Sequence, residues 1–249
     1  MAQVHKGGPP LVEAGRALLS PFGAAWTLAL AATLTAMTWV FFVAPTERTM
    51  GIVQKIFYFH VPFAIAMGVL FVLTSVLSLA YLLKSDDRVD AAAAACAEVA
   101  VLFGVIVLVS GPLWARKAWG AYWSWEPRLT LTLLTVFIYI GYLTVRGFAG
   151  ERGFARRVAA GLGLIGAPAW YLIHIAVERW GGTHPKDVVY GESGGLQHPD
   201  MRTTFFLGLV AVLLLAVVTI WTRIKVRRLE DRIEALALDM EANAIQGEH

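Results

Sequence analysis

The chain has 249 residues, of which 57% are hydrophobic and only 16% charged, and its formal net charge is +3. A soluble domain has nearer a quarter of its residues charged, so this composition excludes a soluble globular protein and indicates an integral membrane protein. No soluble segment carries a basic stripe with interleaved aromatic residues, which leaves nucleic-acid binding without support. The single Cys96 excludes intrachain disulfides, a cysteine-rich metal site and a C-x-x-C-H motif.

Six apolar stretches are long enough to span a bilayer, which requires about 20 mostly apolar residues. They cover approximately residues 24–43, 57–83, 91–114, 129–146, 157–178 and 204–222. The first stretch is too long and too far from the start for a typical cleaved signal peptide, so we interpret it as a retained span. The predicted fold class is therefore an all-α integral membrane protein with six transmembrane helices, which form one domain over residues 1–222.

Lysine and arginine are distributed unequally between the two sides of the membrane. If the N-terminus is inside, the inside segments carry 13 of the 21 basic residues and the outside segments carry 8. The positive-inside rule then favours a topology with both termini inside. In that topology the outer face collects His60, His174, His184, His198 and the loop 115–128.

Residues 223–249 are predicted to form a cytoplasmic helical tail. Leu229, Ile233, Leu236 and Met240 recur at helical spacing among charged residues, which indicates a helix that continues from the sixth span with one apolar seam. Two interpretations of this seam stay open. The tail lies on its own domain or on lipid, or it docks to a partner subunit.

The loop between the third and fourth spans is the densest aromatic segment of the chain. Its aromatic residues, with the one just before it, are Trp114, Trp119, Tyr122, Trp123 and Trp125. Trp and Tyr commonly anchor membrane proteins at the interface, but an anchor belt needs rings on several helices rather than in one loop. Ligand pockets are usually lined by aromatic residues, so we favour the interpretation that this loop binds a flat apolar ligand.

Four histidines are candidates for an iron ligand. His60 lies among aromatic residues at the start of the second span, where neutral imidazole suits haem iron. His184 lies in a turn-rich loop, and His198 precedes the sixth span. His174 has Glu178 four residues later on the same helical face, and we expect these two to form an internal hydrogen-bonded pair. Spacing alone does not select two ligands from the four.

The aromatic loop contains the motif Trp119-Gly120-x-x-Trp123-x-Trp125-Glu126-x-Arg128-Leu129-Thr130. This motif resembles the tryptophan-rich WWD signature of the haem-handling membrane proteins of cytochrome c maturation, and the chain is most similar to the family of their C subunit, CcmC. The stretches Tyr58-x-His60-x-Pro62 and His174…Glu178-x-Trp180…His184 are similar as well. Tyr122 stands where the family more often has Trp, and Glu126 replaces the usual Asp.

The resemblance implies a protein that binds haem b non-covalently at the outer face of the bacterial cytoplasmic (inner) membrane. It implies delivery of that haem to the periplasmic haem chaperone CcmE during cytochrome c biogenesis. It also implies axial iron ligands at His60 and His184, rather than at His174 or His198. The implied partners are the small single-span subunit CcmD and the ABC-type ATPase and permease CcmA and CcmB. Any ATPase activity would belong to those partners, so the chain itself is expected not to be an enzyme.

The residue types also fit haem on chemical grounds. Aromatic rings can contact the macrocycle by face or edge, and two imidazoles would saturate the iron, as suits a carrier. The candidate haem-binding residues are Trp114, Trp119, Tyr122, Trp123, Trp125, Glu126, Arg128, Lys55 and Arg48. The three cations of this set, Arg128, Lys55 and Arg48, could pair with the haem propionates.

Two other functions stay open at this point. A membrane protein that transfers electrons through b-type haem usually holds the haem between helices, and His174 is the one candidate ligand at depth. A permease for another solute would carry polar residues near the middle of the membrane, and the spans contain almost none. The chain has no H-E-x-x-H, G-x-x-x-x-G-K-S/T or G-x-S-x-G motif, which leaves hydrolase and ATPase functions without support.

Overall fold

The structure is a computed structural model that describes residues 20–148, 153–185, 189 and 196–247. In these residues the chain is helical apart from turns, connecting segments and an isolated bridge between Glu47 and Gly51. Six helical segments among them are long and apolar enough to cross a membrane. The prediction of an all-α, multi-pass membrane protein is confirmed.

We number the helices α1 to α7 in chain order. Their bounds are Pro21–Thr38, Phe57–Lys84, Asp87–Trp119, Pro127–Phe148, Gly153–Gly163, Gly166–Trp180 and Pro199–Gly247. A π-helical turn over Trp39–Val43 extends α1, and a 3-10 turn over Ile52–Ile56 leads into α2. Helix α7 continues well beyond its apolar segment, so the predicted tail is helical as far as Gly247. The seam residues Leu229, Ile233, Leu236 and Met240 are exposed.

The chain divides into two compact units, each assembled from three stretches. The first unit comprises residues 1–63, 110–122 and 185–218, and the second comprises residues 64–109, 123–184 and 219–249.

In the first unit, α1 satisfies its own polar groups. Ser20 caps the helix because its hydroxyl accepts a hydrogen bond from the Gly23 N–H at 3.0 Å, and Pro21 occupies the first turn, where its missing N–H costs nothing. The hydroxyls of Thr33 and Thr38 donate to carbonyl oxygens four residues earlier, at 2.8 and 2.9 Å. A hydroxyl in hydrocarbon needs such a partner, so threonine is tolerated in a lipid-facing helix.

The turn before α2 is organised by Glu47. Its carboxylate accepts hydrogen bonds from the backbone N–H groups of Met50 and Thr49, at 2.5 and 2.8 Å. These bonds favour the ionised form and lower the pKa of Glu47. The turn leads directly into the 3-10 segment that carries two of the polar side chains of the candidate site.

In the second unit, the fifth membrane-length segment is broken between α5 and α6, although its sequence predicts one continuous span. Pro168 lies near the start of α6 and cannot donate to a carbonyl four residues earlier. The Ser75 hydroxyl donates to the Gly163 carbonyl and accepts from the Ala167 N–H, both at 2.8 Å. The Tyr139 hydroxyl lies 3.1 Å from the same Gly163 carbonyl. Side chains of α2 and α4 therefore supply the hydrogen bonds that the backbone loses at the break.

This arrangement requires close packing at Gly166. Helix α4 packs against both α5 and α6, and the Tyr139 hydroxyl also reaches the Phe71 carbonyl at 3.0 Å. A Cβ at position 166 would overlap the Tyr139 hydroxyl and lie 2.7 Å from the Phe71 carbonyl oxygen. Only glycine allows this approach without a backbone shift.

Several charged residues in the helices of the second unit form ion pairs. The Arg146 guanidinium donates to Asp90, and Arg156 donates to Asp87 at 2.9 Å. Arg223 and Arg227 of α7 both bond the Glu98 carboxylate of α3. Ionisable groups in spanning helices are usually paired in this way because an uncompensated charge is costly in lipid.

We predict that Gly166→Ala destabilises the protein by about 1–3 kcal/mol, the usual cost of overpacking. The matched control is Gly161→Ala in α5, because a Cβ there would meet no atom within 4 Å. That control should be neutral or stabilising by about 0.5–1 kcal/mol, since alanine is the better helix former. Thermal unfolding of the purified protein in detergent measures both, and equal midpoints for the two variants would contradict the packing argument.

Candidate functional site

In the first unit, two indoles of the predicted site pack edge to face. The ring centroids of Trp114 and Trp119 lie 5.7 Å apart with an interplanar angle of 85°. The Trp114 Nε1–H donates to the Gln54 side-chain oxygen at 3.2 Å, and Gln54 is buried. This bond fixes the Trp114 ring at the end of α3, and nothing in the sequence indicates Gln54 as its partner.

Tyr122 is the last residue of the loop that belongs to the first unit. Its ring lies 5.7 Å from the Arg116 guanidinium, within cation–π range. Arg116 also donates to the Gly120 carbonyl, so one arginine holds both the turn and the ring. Tyr122 is 58% exposed, which leaves much of its ring available for contact with another molecule.

His60 is positioned by α3. Its Nδ1 lies 2.9 Å from the Ser110 hydroxyl oxygen. The ring also rests on the backbone at Gly111, where a Cβ would come within 3.0 Å of the His60 Cε1. A hydroxyl both donates and accepts, so Ser110 is compatible with either tautomer of a neutral His60.

The other predicted residues of the first unit have separate roles. Lys55 is buried, and its Nζ donates to the Phe41 carbonyl at 3.1 Å, in the π-helical turn. Arg48 is exposed. The His198 Nδ1 lies 3.4 Å from the Asp200 carboxylate, and its side chain is exposed.

In the second unit, the loop continues with two more indoles and several buried polar atoms. The Trp123 and Trp125 ring centroids lie 5.7 Å apart at an interplanar angle of 77°, and Trp125 is 76% exposed. Four buried side-chain atoms here have no hydrogen-bond partner in the described chain: Trp123 Nε1, Ser124 Oγ, Glu126 Oε1 and Thr130 Oγ1. Most buried polar side-chain atoms in proteins are satisfied, so this concentration requires an explanation.

Glu126 joins the start of α4 to the segment after α6. Its carbonyl accepts from the Thr130 N–H at 3.0 Å, the first bond of α4. One oxygen of its buried carboxylate, Oε2, accepts from the Thr183 N–H at 2.6 Å and from the Thr183 hydroxyl at 3.0 Å. The chain turns toward Glu126 through Gly181 and Gly182, whose φ angles of 79° and 146° disfavour any side chain.

Arg128 makes two contacts with the backbone of α6 and one with the segment that follows it. Its Nε donates to the Ile173 carbonyl at 3.1 Å and its Nη2 to the His174 carbonyl at 2.6 Å. Its Nη1 lies 3.1 Å from the His184 Nδ1. The structure thus brings Arg128 and His184 together, a contact that the sequence does not reveal.

The expected hydrogen bond between His174 and Glu178 does not form in the described part of the chain. The hydrogen bonds of the described residues include none between His174 and Glu178, although the sequence favours such a pair. The His174 side chain is exposed, and its ring centroid lies 6.5 Å from that of Trp170. One-turn spacing places two side chains on the same face but does not orient them toward each other.

Comparison with known proteins gives one consistent result. Residues 14–239 match the family described as Heme exporter protein C. The chain is 35% identical over 147 residues to Heme exporter protein C of Escherichia coli (strain K12), a match that spans 59% of this chain and 60% of that protein. It is 30% identical over 208 residues to Heme exporter protein C of Paracoccus denitrificans, with 82% of this chain and 86% of that protein covered. The protein of the same name from Haemophilus influenzae is 31% identical over 169 residues, 67% of each chain.

We predict that Glu126→Ala frees the Thr183 amide. The lost bonds to an ionised carboxylate contribute roughly 1.5–3 kcal/mol, so amide hydrogen exchange at Thr183 should accelerate by about 10- to 100-fold. Glu178→Ala is the control, because Glu178 is an exposed carboxylate of the same unit. Unchanged exchange at Thr183 in Glu126→Ala would contradict the described role of Glu126.

Proposed function

This chain belongs to the Heme exporter protein C family, and we propose that it binds haem non-covalently and delivers it to an acceptor during cytochrome c maturation. The observation that carries the proposal is the group of unpartnered buried atoms from Trp123 to Thr130, beside the exposed indole of Trp125. A buried polar atom without a partner costs roughly 1–3 kcal/mol. A flat, apolar ligand with acceptor groups at its edge would cover the rings and satisfy the donors among these atoms, the Trp123 Nε1–H and the Ser124 and Thr130 hydroxyls.

Haem has these properties, since it is an apolar macrocycle with two carboxylates. It brings an iron ion that takes two axial ligands from the protein. We assign those ligands to His60 and His184, whose rings are held by Ser110 and Arg128 in their respective units. With both axial positions filled by imidazole, the iron would be carried rather than used for oxygen chemistry.

The aromatic residues Trp114, Trp119, Tyr122, Trp123 and Trp125 form the proposed bed for the macrocycle. Edge-to-face indole pairs and exposed ring faces support this role. Glu126 is included because one of its carboxylate oxygens has no partner among the described residues. Three cations, Arg128, Lys55 and Arg48, are proposed to bind the propionates. For Arg128 and Lys55 this would require an exchange of the hydrogen bonds that they make to the chain.

The cellular setting follows from family membership and from the distribution of positive charge. We propose a location in the bacterial cytoplasmic membrane with both termini inside and the haem site facing the periplasm. The proposed acceptor is the periplasmic haem chaperone CcmE. The further partners are CcmD, CcmA and CcmB, and the chain itself acts as a delivery subunit rather than an enzyme.

We predict that the purified protein binds haem with the absorption spectrum of a low-spin, six-coordinate iron. His60→Ala or His184→Ala should each remove one axial ligand and abolish that spectrum. His198→Ala is the matched control, because His198 has an exposed side chain paired with Asp200. If both single variants keep the wild-type spectrum, the ligand assignment is wrong. If the wild-type protein binds no haem, the function itself is wrong.

We also predict the sidedness of two exposed positions, Tyr122 and Leu236. In a Cys96→Ala background, Tyr122→Cys should react with a membrane-impermeant maleimide added to intact spheroplasts. Leu236→Cys should react only after the membrane is permeabilised. The reverse pattern would place the aromatic loop on the cytoplasmic side.

A further inference from the structure

Two guanidinium nitrogens of Arg128 bond to backbone carbonyls, and the third points at His184. The bonds to the Ile173 and His174 carbonyls fix Nε and Nη2 against α6. They hold the plane of the guanidinium, so Nη1 is directed at the His184 Nδ1, 3.1 Å away. The contact is therefore part of a three-point arrangement within the second unit rather than a chance approach of two mobile side chains.

This contact determines which nitrogen of His184 carries the proton. A guanidinium donates hydrogen bonds and cannot accept them. The His184 Nδ1 must therefore accept, and a neutral ring then carries its proton on Nε2. In this arrangement the Nδ1 lone pair is engaged by Arg128 and Nε2 bears a hydrogen, so neither nitrogen can ligate iron.

His60 makes the opposite kind of contact. The partner of its Nδ1 is the Ser110 hydroxyl, at 2.9 Å, which accepts as readily as it donates. His60 can therefore hold its proton on Nδ1 and use Nε2 as a ligand without losing this bond. The two proposed axial histidines thus differ in the Nδ1 contact, because Ser110 can accept a hydrogen bond from His60 whereas Arg128 can only donate one to His184.

We propose that Arg128 is a latch that withholds His184 from iron until a carboxylate of the ligand displaces it, an inference that rests on the proposed haem-binding function. A carboxylate competes well for Nη1, because its negative charge adds Coulombic attraction and bidentate geometry that a neutral imidazole does not offer to a guanidinium. Once Nδ1 is released, the ring takes a proton on Nδ1 and loses the one on Nε2, so its charge is unchanged. His184 thereby becomes available as the second iron ligand only when Arg128 has bound a carboxylate of the porphyrin.

The surrounding chain permits the required movement of His184. It follows Gly181 and Gly182, which have positive φ angles, while Thr183 stays attached to the Glu126 carboxylate. The ring can turn about its own side-chain torsions while this anchor holds the backbone. Arg128 is accordingly a positioning residue, and it selects for porphyrins that carry carboxylates.

The test compares haem with iron etioporphyrin, an iron porphyrin that has alkyl groups and no carboxylate. Wild-type protein should give a six-coordinate low-spin spectrum with haem. With iron etioporphyrin it should give the same spectrum as His184→Ala. In Arg128→Met, iron etioporphyrin should become six-coordinate and low-spin and should bind about tenfold more tightly, the effect of one hydrogen bond to a charged group. Arg179→Met is the control, because Arg179 is an exposed arginine near the end of α6, the helix whose carbonyls bind Arg128.

The other outcomes overturn the latch. If iron etioporphyrin is six-coordinate in both wild type and Arg128→Met, or in neither, Arg128 does not withhold His184. Failure of wild-type protein to bind haem itself would instead refute the proposed function. Should Arg128→Met fail to fold, ¹⁵N NMR of histidine-labelled wild-type protein tests the proposal without any porphyrin, because it reports the tautomer of His184. The His184 signal, identified by its loss in His184→Ala, should show the Nε2–H tautomer, and the Nδ1–H tautomer would overturn the proposal.

Discussion

The hydrocarbon core of a bilayer offers no hydrogen bonds, so a spanning chain has to satisfy its polar groups internally. This constraint explains much of the described structure. Threonine hydroxyls in α1 bond to the preceding turn, and Ser75 and Tyr139 capture the backbone groups freed where α5 ends. The same constraint accounts for the two arginines that share the Glu98 carboxylate.

The aromatic loop departs from that rule. Around Trp123 and Glu126, buried donors and acceptors have no partner within the described chain, although the neighbouring helices leave few such atoms. Strained or unsatisfied groups that persist in a stable protein are typical of sites where a ligand completes the structure. The loop also exposes Trp125 and Tyr122, so apolar surface and unsatisfied polar atoms occur in the same short stretch.

Glu126 and Arg128, which lie two positions apart in this stretch, both bond to the segment after α6. Glu126 holds the backbone of Thr183, and Arg128 holds the ring of His184. The acid is fixed by backbone and hydroxyl donors, whereas the base faces a titratable ring that can exchange partners. The Glu126 side chain reaches both the N–H and the hydroxyl of Thr183. A rigid anchor thus lies next to an exchangeable contact.

The six membrane-length segments, the helical tail and the aromatic loop could be predicted from local sequence, because hydropathy and composition are sums over neighbouring residues. The resemblance to the family motif also selected His60 and His184 as candidate ligands. The break between α5 and α6, the absence of a bond between His174 and Glu178 and the partners Gln54, Ser110 and Thr183 emerged only from the tertiary structure. The hydrogen bonds among these features join residues 24 to 92 positions apart in the chain, and the His174 result depends on the orientation of single side chains. No local pattern encodes such pairings, and for His184 the pairing with Arg128 decides which nitrogen of the neutral ring carries the proton.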